Sequence, residues 1–196
     1  MDIHYRNALR NDILFISRLI EIASGGFIDY LYNGIFPDKT TNQIIQDKLN
    51  GKEPSMNWED CILAESEGGV AGLSLSYPAH LYRITSEMER IIPEERLEKV
   101  RGNYSEKVEN SWYLDSLAVF PEYTGKGIGG RLIDYTKARA LERGFDVLSL
   151  SVFADNKVAL DLYLRHGFRK VRRVLIEPSE ESPHEGGCFI MKCDLK

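Results

Sequence analysis

The sequence predicts an α/β fold, a central twisted mixed sheet of about seven strands flanked by helices on both faces. Three observations carry that prediction. Ser111 to Lys170 reads as apolar strand, Gly-rich turn, helix, second apolar strand, Asn, second helix and Gly-Phe. Such a strand–helix–strand crossover joins neighbouring parallel strands. Ahead of it, two apolar segments flank Glu67-Gly68-Gly69, a hairpin signal. Behind it, two more strand-like segments close the chain.

Each element has its own local reason. Ile3 to Ala8 alternates as a first strand. Asn11 or Asp12 caps a helix whose apolar Ile13, Ile16, Ile20 and Ala23 recur at helical spacing, and Gly25-Gly26 stops it. Thr40 or Thr41 caps a second helix through Ile44, Ile45 and Leu49, ending at Gly51. Cys61–Ala64 and Val70–Tyr77 are the hairpin strands. Residues 79–110 are charged and mostly helix-like, with a helix start at Pro93. They are too many for a plain loop, so they read as a helical insertion. Trp112–Phe120 and Val147–Phe153 flank a helix from about Gly127 to Arg143. The next helix ends at His166, with Gly167 after it and apolar Phe168 beyond. Arg169–Ile176 and Cys188–Leu195 are the last strands. Their polar connection, Glu177–Gly187, contains Pro178 and Pro183 and is expected to be mobile.

Bulk properties narrow the classes. A chain of 196 residues with 43% apolar composition fits one domain, 1–196, around one core. A net charge of −5 counts against broad nucleic-acid binding, which needs clustered Lys and Arg. Cys61, Cys188 and Cys193 are an odd set without metal-type pairing, as expected of reduced, intracellular apolar fillers. His4, His80, His166 and His184 lack ligand spacing, so no metal is expected. With no signal-peptide core and no bilayer-length apolar run, the expectation is a soluble cytoplasmic protein without membrane partners. A homodimer is possible on frequency alone.

The turn Tyr123-Thr124-Gly125-Lys126-Gly127-Ile128-Gly129-Gly130 carries the chemistry. Closely spaced glycines between strand and helix let the backbone approach a large anion, and the free N–H groups at the helix start point at it. A phosphorylated cofactor is the expected ligand. After the turn, Asp155 to Phe168 has the spacing N-x-x-A-x-x-L-Y-x-x-x-G-F, and Leu117-Ala118-Val119-Phe120-Pro121-Glu122-Tyr123 leads into the turn. Together these pieces, over roughly the C-terminal half, closely resemble the acyl-coenzyme A site of the GNAT superfamily of N-acyltransferases. Thr124 stands where that family usually has Arg or Gln, which leaves its backbone N–H and removes a side-chain contact.

The resemblance implies acetyl transfer from acetyl-coenzyme A (acetyl-CoA) to an amine in a ternary complex. The pyrophosphate would sit on the N–H groups from Thr124 and Gly125 through Lys126, Gly127, Ile128 and Gly129 to Gly130, with Lys126 and Arg131 adding charge. The family supplies pantetheine partners where the central strand splays from its parallel neighbour, which maps to Leu117, Ala118 and Val119, and an N–H there would stabilise the oxyanion. Tyr163 falls where the family places a tyrosine near the sulfur, as general acid; a core tyrosine is the plain alternative. Asn156 caps the helix and would also contact the pantetheine. Asp115 resembles a position where some members carry a carboxylate. On the same alternating face as Tyr113 and Val119, it would deprotonate the amine directly or through water, or else anchor a loop.

The acceptor, a small-molecule or protein amine, is not legible. The insertion would form an arm over the acceptor side, and Glu87, Glu89, Tyr30 and Tyr32 are candidate acceptor-site residues. The arm's glutamates are nearly balanced by Arg83, Arg90, Arg96, Lys99 and Arg101. Two rival readings exist. Gly125-x-Gly127-x-x-Gly130 also fits an NAD(P)-binding fingerprint, but too little sequence follows for repeated βαβ units. A non-catalytic acyl-CoA-binding sensor keeps the fold and omits the chemistry. A Walker A loop fails, because Arg131-Leu132 follow Gly130.

Overall fold

The computed structural model describes residues 2–51, 55–175 and 184–196. Among them, seven strands form one sheet in the order β1-β2-β3-β4-β5-β7-β6. They are β1 (His4–Asn7), β2 (Cys61–Ser66), β3 (Gly69–Pro78), β4 (Trp112–Val119), β5 (Val147–Phe153), β6 (Arg169–Val174) and β7 (Cys188–Asp194). Only β4 and β5 pair in parallel, as the crossover predicts; every other neighbouring pair is antiparallel. Most of the predicted β6–β7 connection, and the end of the sixth strand at Ile176, lie outside the described residues.

Helices cover both faces because each presents an apolar stripe to the sheet. On one face, α1 (Ile13–Ser24) and α3 (Thr41–Asn50) press Ile16, Leu19, Ile20, Ile45 and Leu49 onto Leu63, Leu73 and Leu75. On the other, α6 (Ile128–Glu142) and α7 (Lys157–Arg165) bury Ile133, Ala140, Leu160 and Tyr163 against Trp112, Leu114, Leu148 and Leu150. No helix among the described residues is long and apolar enough to cross a membrane.

Two local expectations change. Asp12 does not cap α1 with its side chain. Its carboxylate instead accepts from the Leu9 N–H at 2.7 Å and pairs with Arg6 at 2.7 Å, bracing a 3-10 turn ahead of the helix. Gly25 does end α1 in a left-handed conformation, but the chain restarts after Gly26 as α2 (Phe27–Tyr32), which the sequence pattern does not announce. The cap at Thr40 is as expected. Its hydroxyl accepts from the Gln43 N–H at 3.2 Å, and Gln43 Oε1 accepts from the Thr40 N–H at 2.8 Å. Thr40→Ala breaks this reciprocal pair and should cost ~1 kcal/mol. For a chain of this size that lowers the unfolding midpoint by about 2–4 °C, readable by calorimetry.

The 79–110 segment folds into a 3-10 turn (Ala79–Leu81), α4 (Ser86–Ile91) and α5 (Glu94–Ser105). Met88, Ile92, Leu97 and Val100 bury against Tyr30, Leu31, Tyr32 and Ile44, so the segment packs on α2 and α3.

Two irregularities in the sheet prepare a site. Leu75 faces Ser116 while Ser76 faces Leu114, so Asp115 is the extra residue of a β-bulge. An extra residue reverses the alternation: Tyr113 and Ala118 belong to the α1-side core, whereas Val119 packs on the α6 side. Asp115 therefore does not share a face with Val119, contrary to simple alternation. The second irregularity is the brevity of the β4–β5 ladder, limited to Trp112↔Leu148 and Tyr113↔Ser149. Beyond Tyr113 the strands diverge and leave an open wedge.

Candidate active site

The wedge opens into a cavity of about 210 Å³. Tyr77, Tyr113, Ser116, Leu117, Val152 and Phe153 of the sheet line it, with Phe27, Tyr32, Lys48, Tyr82, Arg83, Asn156, Ala159 and Tyr163 from the helices and connections around it. Asp115 lines it as well. Two residues assigned chemistry from the sequence, Asp115 and Tyr163, thus reach one cavity from opposite sides of the splay.

The outward backbone of β4 can be assigned. The Phe120 N–H bonds the Ala71 carbonyl at 2.9 Å across the β3–β4 ladder. In an antiparallel pair the direction of successive peptide groups alternates, so Val119 and Leu117 turn theirs away from β3 into the wedge. Ala118 turns toward β3 with its side chain buried in the core, so of the three predicted backbone contributors it alone faces away from the wedge.

The glycine turn divides into distinct tasks. Gly125 and Gly127 have φ of 74° and 77°, and a Cβ added at either meets no atom within 4 Å. Their glycine character serves the backbone conformation and keeps the outer face open. A Cβ at Gly130 would lie 2.7 Å from His166 Nε2, and one at Gly129 3.5 Å from Leu162, so these two serve packing of α6 against α7. The first intrahelical bond runs from the Arg131 N–H to the Gly127 carbonyl, which leaves the amides of Ile128, Gly129 and Gly130 without helical acceptors. The Ile128 side chain is buried, so only its amide faces a ligand. Thr124 donates its hydroxyl to the Pro121 carbonyl at 2.8 Å, locking the turn's entry. Lys126 reaches the Glu122 carbonyl at 3.1 Å and lies over the Tyr123 ring, while Arg131 leans toward Asp134 at 3.9 Å.

Asp115 sits in a tyrosine-rich pocket. Its Oδ1 accepts from the Tyr77 hydroxyl at 2.6 Å and its Oδ2 from the Ser116 hydroxyl at 2.8 Å. Burial raises the Asp115 pKa above the ordinary carboxylate range, and those two hydrogen bonds only partly oppose the rise. Tyr82 stacks on Tyr113 at 4.4 Å and on Tyr104 at 4.8 Å. Burial holds the phenols of Tyr77, Tyr82 and Tyr113 well above their usual values, so all three stay neutral donors. Tyr163 is raised by burial as well. Its ring packs edge-on to Phe168 at 5.5 Å, and among the described residues its hydroxyl has no hydrogen-bond partner. Asn156 caps α7, accepting from the Ala159 N–H at 3.1 Å, and borders the cavity.

The acceptor candidates fare unevenly. Tyr32 lines the cavity, but Tyr30 stacks beneath Arg96 and Glu89 is exposed away from it. Glu87 acts at one remove, 3.9 Å from Lys48. Sequence reasoning missed Tyr77, Tyr82, Tyr113, Lys48 and Arg83. Tyr77 and Tyr113 read as ordinary strand residues, and only the register that places them opposite each other brings them to Asp115. Among the described residues, no group of three or more His, Cys, Asp or Glu is placed to hold a metal ion.

Known proteins resemble this chain in sequence or in fold. The chain is 45% identical over 51 residues to thialysine N-epsilon-acetyltransferase of Bos taurus, a match covering 26% of this chain and 30% of that protein. The chain thus matches less than half the length of that relative. An N-acetyltransferase from Staphylococcus aureus Mu50 superposes with a TM-score of 0.72 at 18% identity, covering 96% of this chain and 99% of that one. PaiA N-acetyltransferase of Thermoplasma acidophilum, solved in complex with coenzyme A, superposes at 0.55 with 18% identity, covering 99% of each chain. The profile of the acetyltransferase (GNAT) family matches residues 35–168, from the approach to α3 through the arm, the splayed strand and the glycine turn to Phe168. A match over that span, ending on the Gly-Phe that closes the α7 motif, means that the chain belongs to the acetyltransferase (GNAT) family.

Proposed function

We propose that the chain transfers an acetyl group from acetyl-CoA directly to a primary amine. The observation that carries this is the joint placement of Asp115 and Tyr163 on one cavity at the β4–β5 splay. The residues present suit coenzyme A. The open face over Gly125 and Gly127 and the amides of Ile128, Gly129 and Gly130, which lack helical acceptors, fit its pyrophosphate. The outward peptide groups of Leu117 and Val119 suit an arm bearing two amides, with Asn156 at its flank. When bound, acetyl-CoA supplies a thioester whose acyl carbon is open to attack. The bovine relative is named for acetylating the N-ε position of thialysine, which agrees with an amine acceptor here.

In this reading the chain's residues handle the protons. An ammonium near its ordinary pKa of ~10 must lose a proton before it attacks, and Asp115 takes it directly or through water. The nitrogen bonds the acyl carbon, its second proton passes to solvent, and the carbon–sulfur bond breaks. A peptide N–H of Leu117 or Val119 holds charge on the acyl oxygen. Tyr163 protonates the departing sulfur, and solvent restores its proton.

Thermal unfolding with acetyl-CoA tests the binding half. At ~100 times its Kd the ligand should stabilise the chain by ~2.7 kcal/mol. Gly127→Val should lose that shift, because a branched side chain fills the open face. The unliganded variant should still fold, since the cost is left-handed strain of about 1–2 kcal/mol. Undiminished stabilisation of the variant would remove the turn from the binding site.

A further inference from the structure

We propose, resting on the acetyl-transfer reading above, that Tyr77, with Ser116 beside it, is a positioning residue that holds Asp115 in its charged form for the amine by means of neutral hydroxyls alone. Tyr113 faces Tyr77 across the β3–β4 ladder, so Asp115, two residues beyond Tyr113, is the diagonal neighbour of Tyr77. Such neighbours meet only through aromatic or other long side chains. Tyr77 makes the reach. Its hydroxyl lies 2.6 Å from Asp115 Oδ1, and the residue is 2% exposed, with its ring 5.9 Å from that of Tyr113. Ser116 gives the other oxygen, Oδ2, its donor at 2.8 Å. A carboxylate has about four acceptor sites, so two hydroxyls leave room for a proton of the amine or of a bridging water.

The kind of donor matters as much as its place. An Arg or Lys of equal reach would also fix the carboxylate, but its charge would drive the pKa down and leave a poor base for an ammonium. Lys48 and Arg83 share the cavity, yet no cation contributes to the Asp115 pKa. Burial pushes that pKa up, and the hydrogen bonds from Tyr77 and Ser116 draw it part of the way back. The titratable groups facing Asp115 are Tyr77 on β3, Tyr113 on β4, Tyr82 on the arm and Cys61 on β2. Burial raises all four, so each stays a neutral group whether or not Asp115 is charged. The helices α1 and α6, which pack on the same strand, bury no titratable side chain.

Infrared difference spectra of the full chain, titrated over pH, test the hold on the proton without any acceptor. The carbonyl band of the protonated Asp115 carboxyl is the one that Asp115→Asn removes. In Tyr77→Phe, which keeps the ring and loses the donor, its midpoint should move to higher pH. The protonated-to-charged ratio at a given pH should rise ~10-fold, as expected for one lost hydrogen bond to a carboxylate. Ser116→Ala should move the midpoint the same way, and it decides the matter if Tyr77→Phe does not fold. A midpoint that stays at the wild-type pH, or falls, would overturn the assignment. Thiol release with lysine, cadaverine and phenethylamine then links the hold to the reaction. The acid limb of kcat/KM should follow the infrared midpoint, while the plateau changes by less than ~2-fold. If Asp115→Asn loses the limb and Tyr77→Phe leaves it in place, only the role of Tyr77 fails. If Asp115→Asn keeps the limb, or no amine releases thiol, the transfer reading fails and this inference with it.

Discussion

Tyr163→Phe should lower kcat by ~10²-fold or more while KM for acetyl-CoA changes little, because a general acid contributes in the transition state and not to ground-state binding. The substitution is clean. The Tyr163 hydroxyl has no hydrogen-bond partner among the described residues, and the ring's contact with Phe168 survives in Phe. The unfolding midpoint should therefore stay where it is. Burial raises the Tyr163 pKa, so the phenol remains protonated across the working range. The pH dependence adds a second readout. If a coenzyme A thiol titrates near the ~8.5 of a cysteine, the sulfur leaves unaided at higher pH, and the defect should narrow there. A variant with wild-type kcat at neutral pH would take Tyr163 out of the mechanism.

Asp115→Asn should also reduce kcat/KM by roughly 10²-fold, since its carboxylate is the base proposed for the amine. Its pKa is raised by burial, so the base is protonated at low pH and becomes free as pH rises through a value above the ordinary carboxylate range. The ascending limb of the wild-type profile should lie correspondingly higher than 3.8, and the variant should lack it. Stability should move in the opposite direction. The folded state holds this proton more tightly than the unfolded chain, so the group costs stability as pH rises from its unfolded to its folded pKa, and the full cost persists above. Removing the charge should leave the variant as stable as wild type or more so at pH 8, with the difference vanishing in acid. An inactive variant that is also destabilised at pH 8 would indicate a structural anchor instead.

Legibility differed sharply between the two halves of the site. The proposed cofactor end could be laid out because its signals are local. The glycine turn, the Asn156 cap and the spacing to Tyr163 and Gly167 are each set by neighbours within a few residues, where backbone conformation and capping decide the outcome. Asp115 was reached from its motif position and lies with Tyr77 and Tyr113, but its relation to Val119 was misjudged, because a bulge depends on how Leu75 and Ser76 meet Ser116 and Leu114 across the ladder. α2 went unseen for a similar reason. Its six residues lack the length for a periodic signal, and it is held by packing against the arm.

By itself, then, the sequence determined the order of the strands and of the helices that cover the sheet, the parallel crossover, and the glycine turn, since these follow from periodicity, caps and backbone freedom within short windows. The tertiary structure alone assembled the tyrosine-lined part of the cavity. Tyr77 on β3, Tyr113 on β4, Tyr82 and Arg83 on the arm and Lys48 on α3 meet only after the arm docks on α2 and α3. Long-range packing governs that meeting, because apolar burial specifies which faces close together and leaves no short-range pattern naming the polar residues it brings into one cavity.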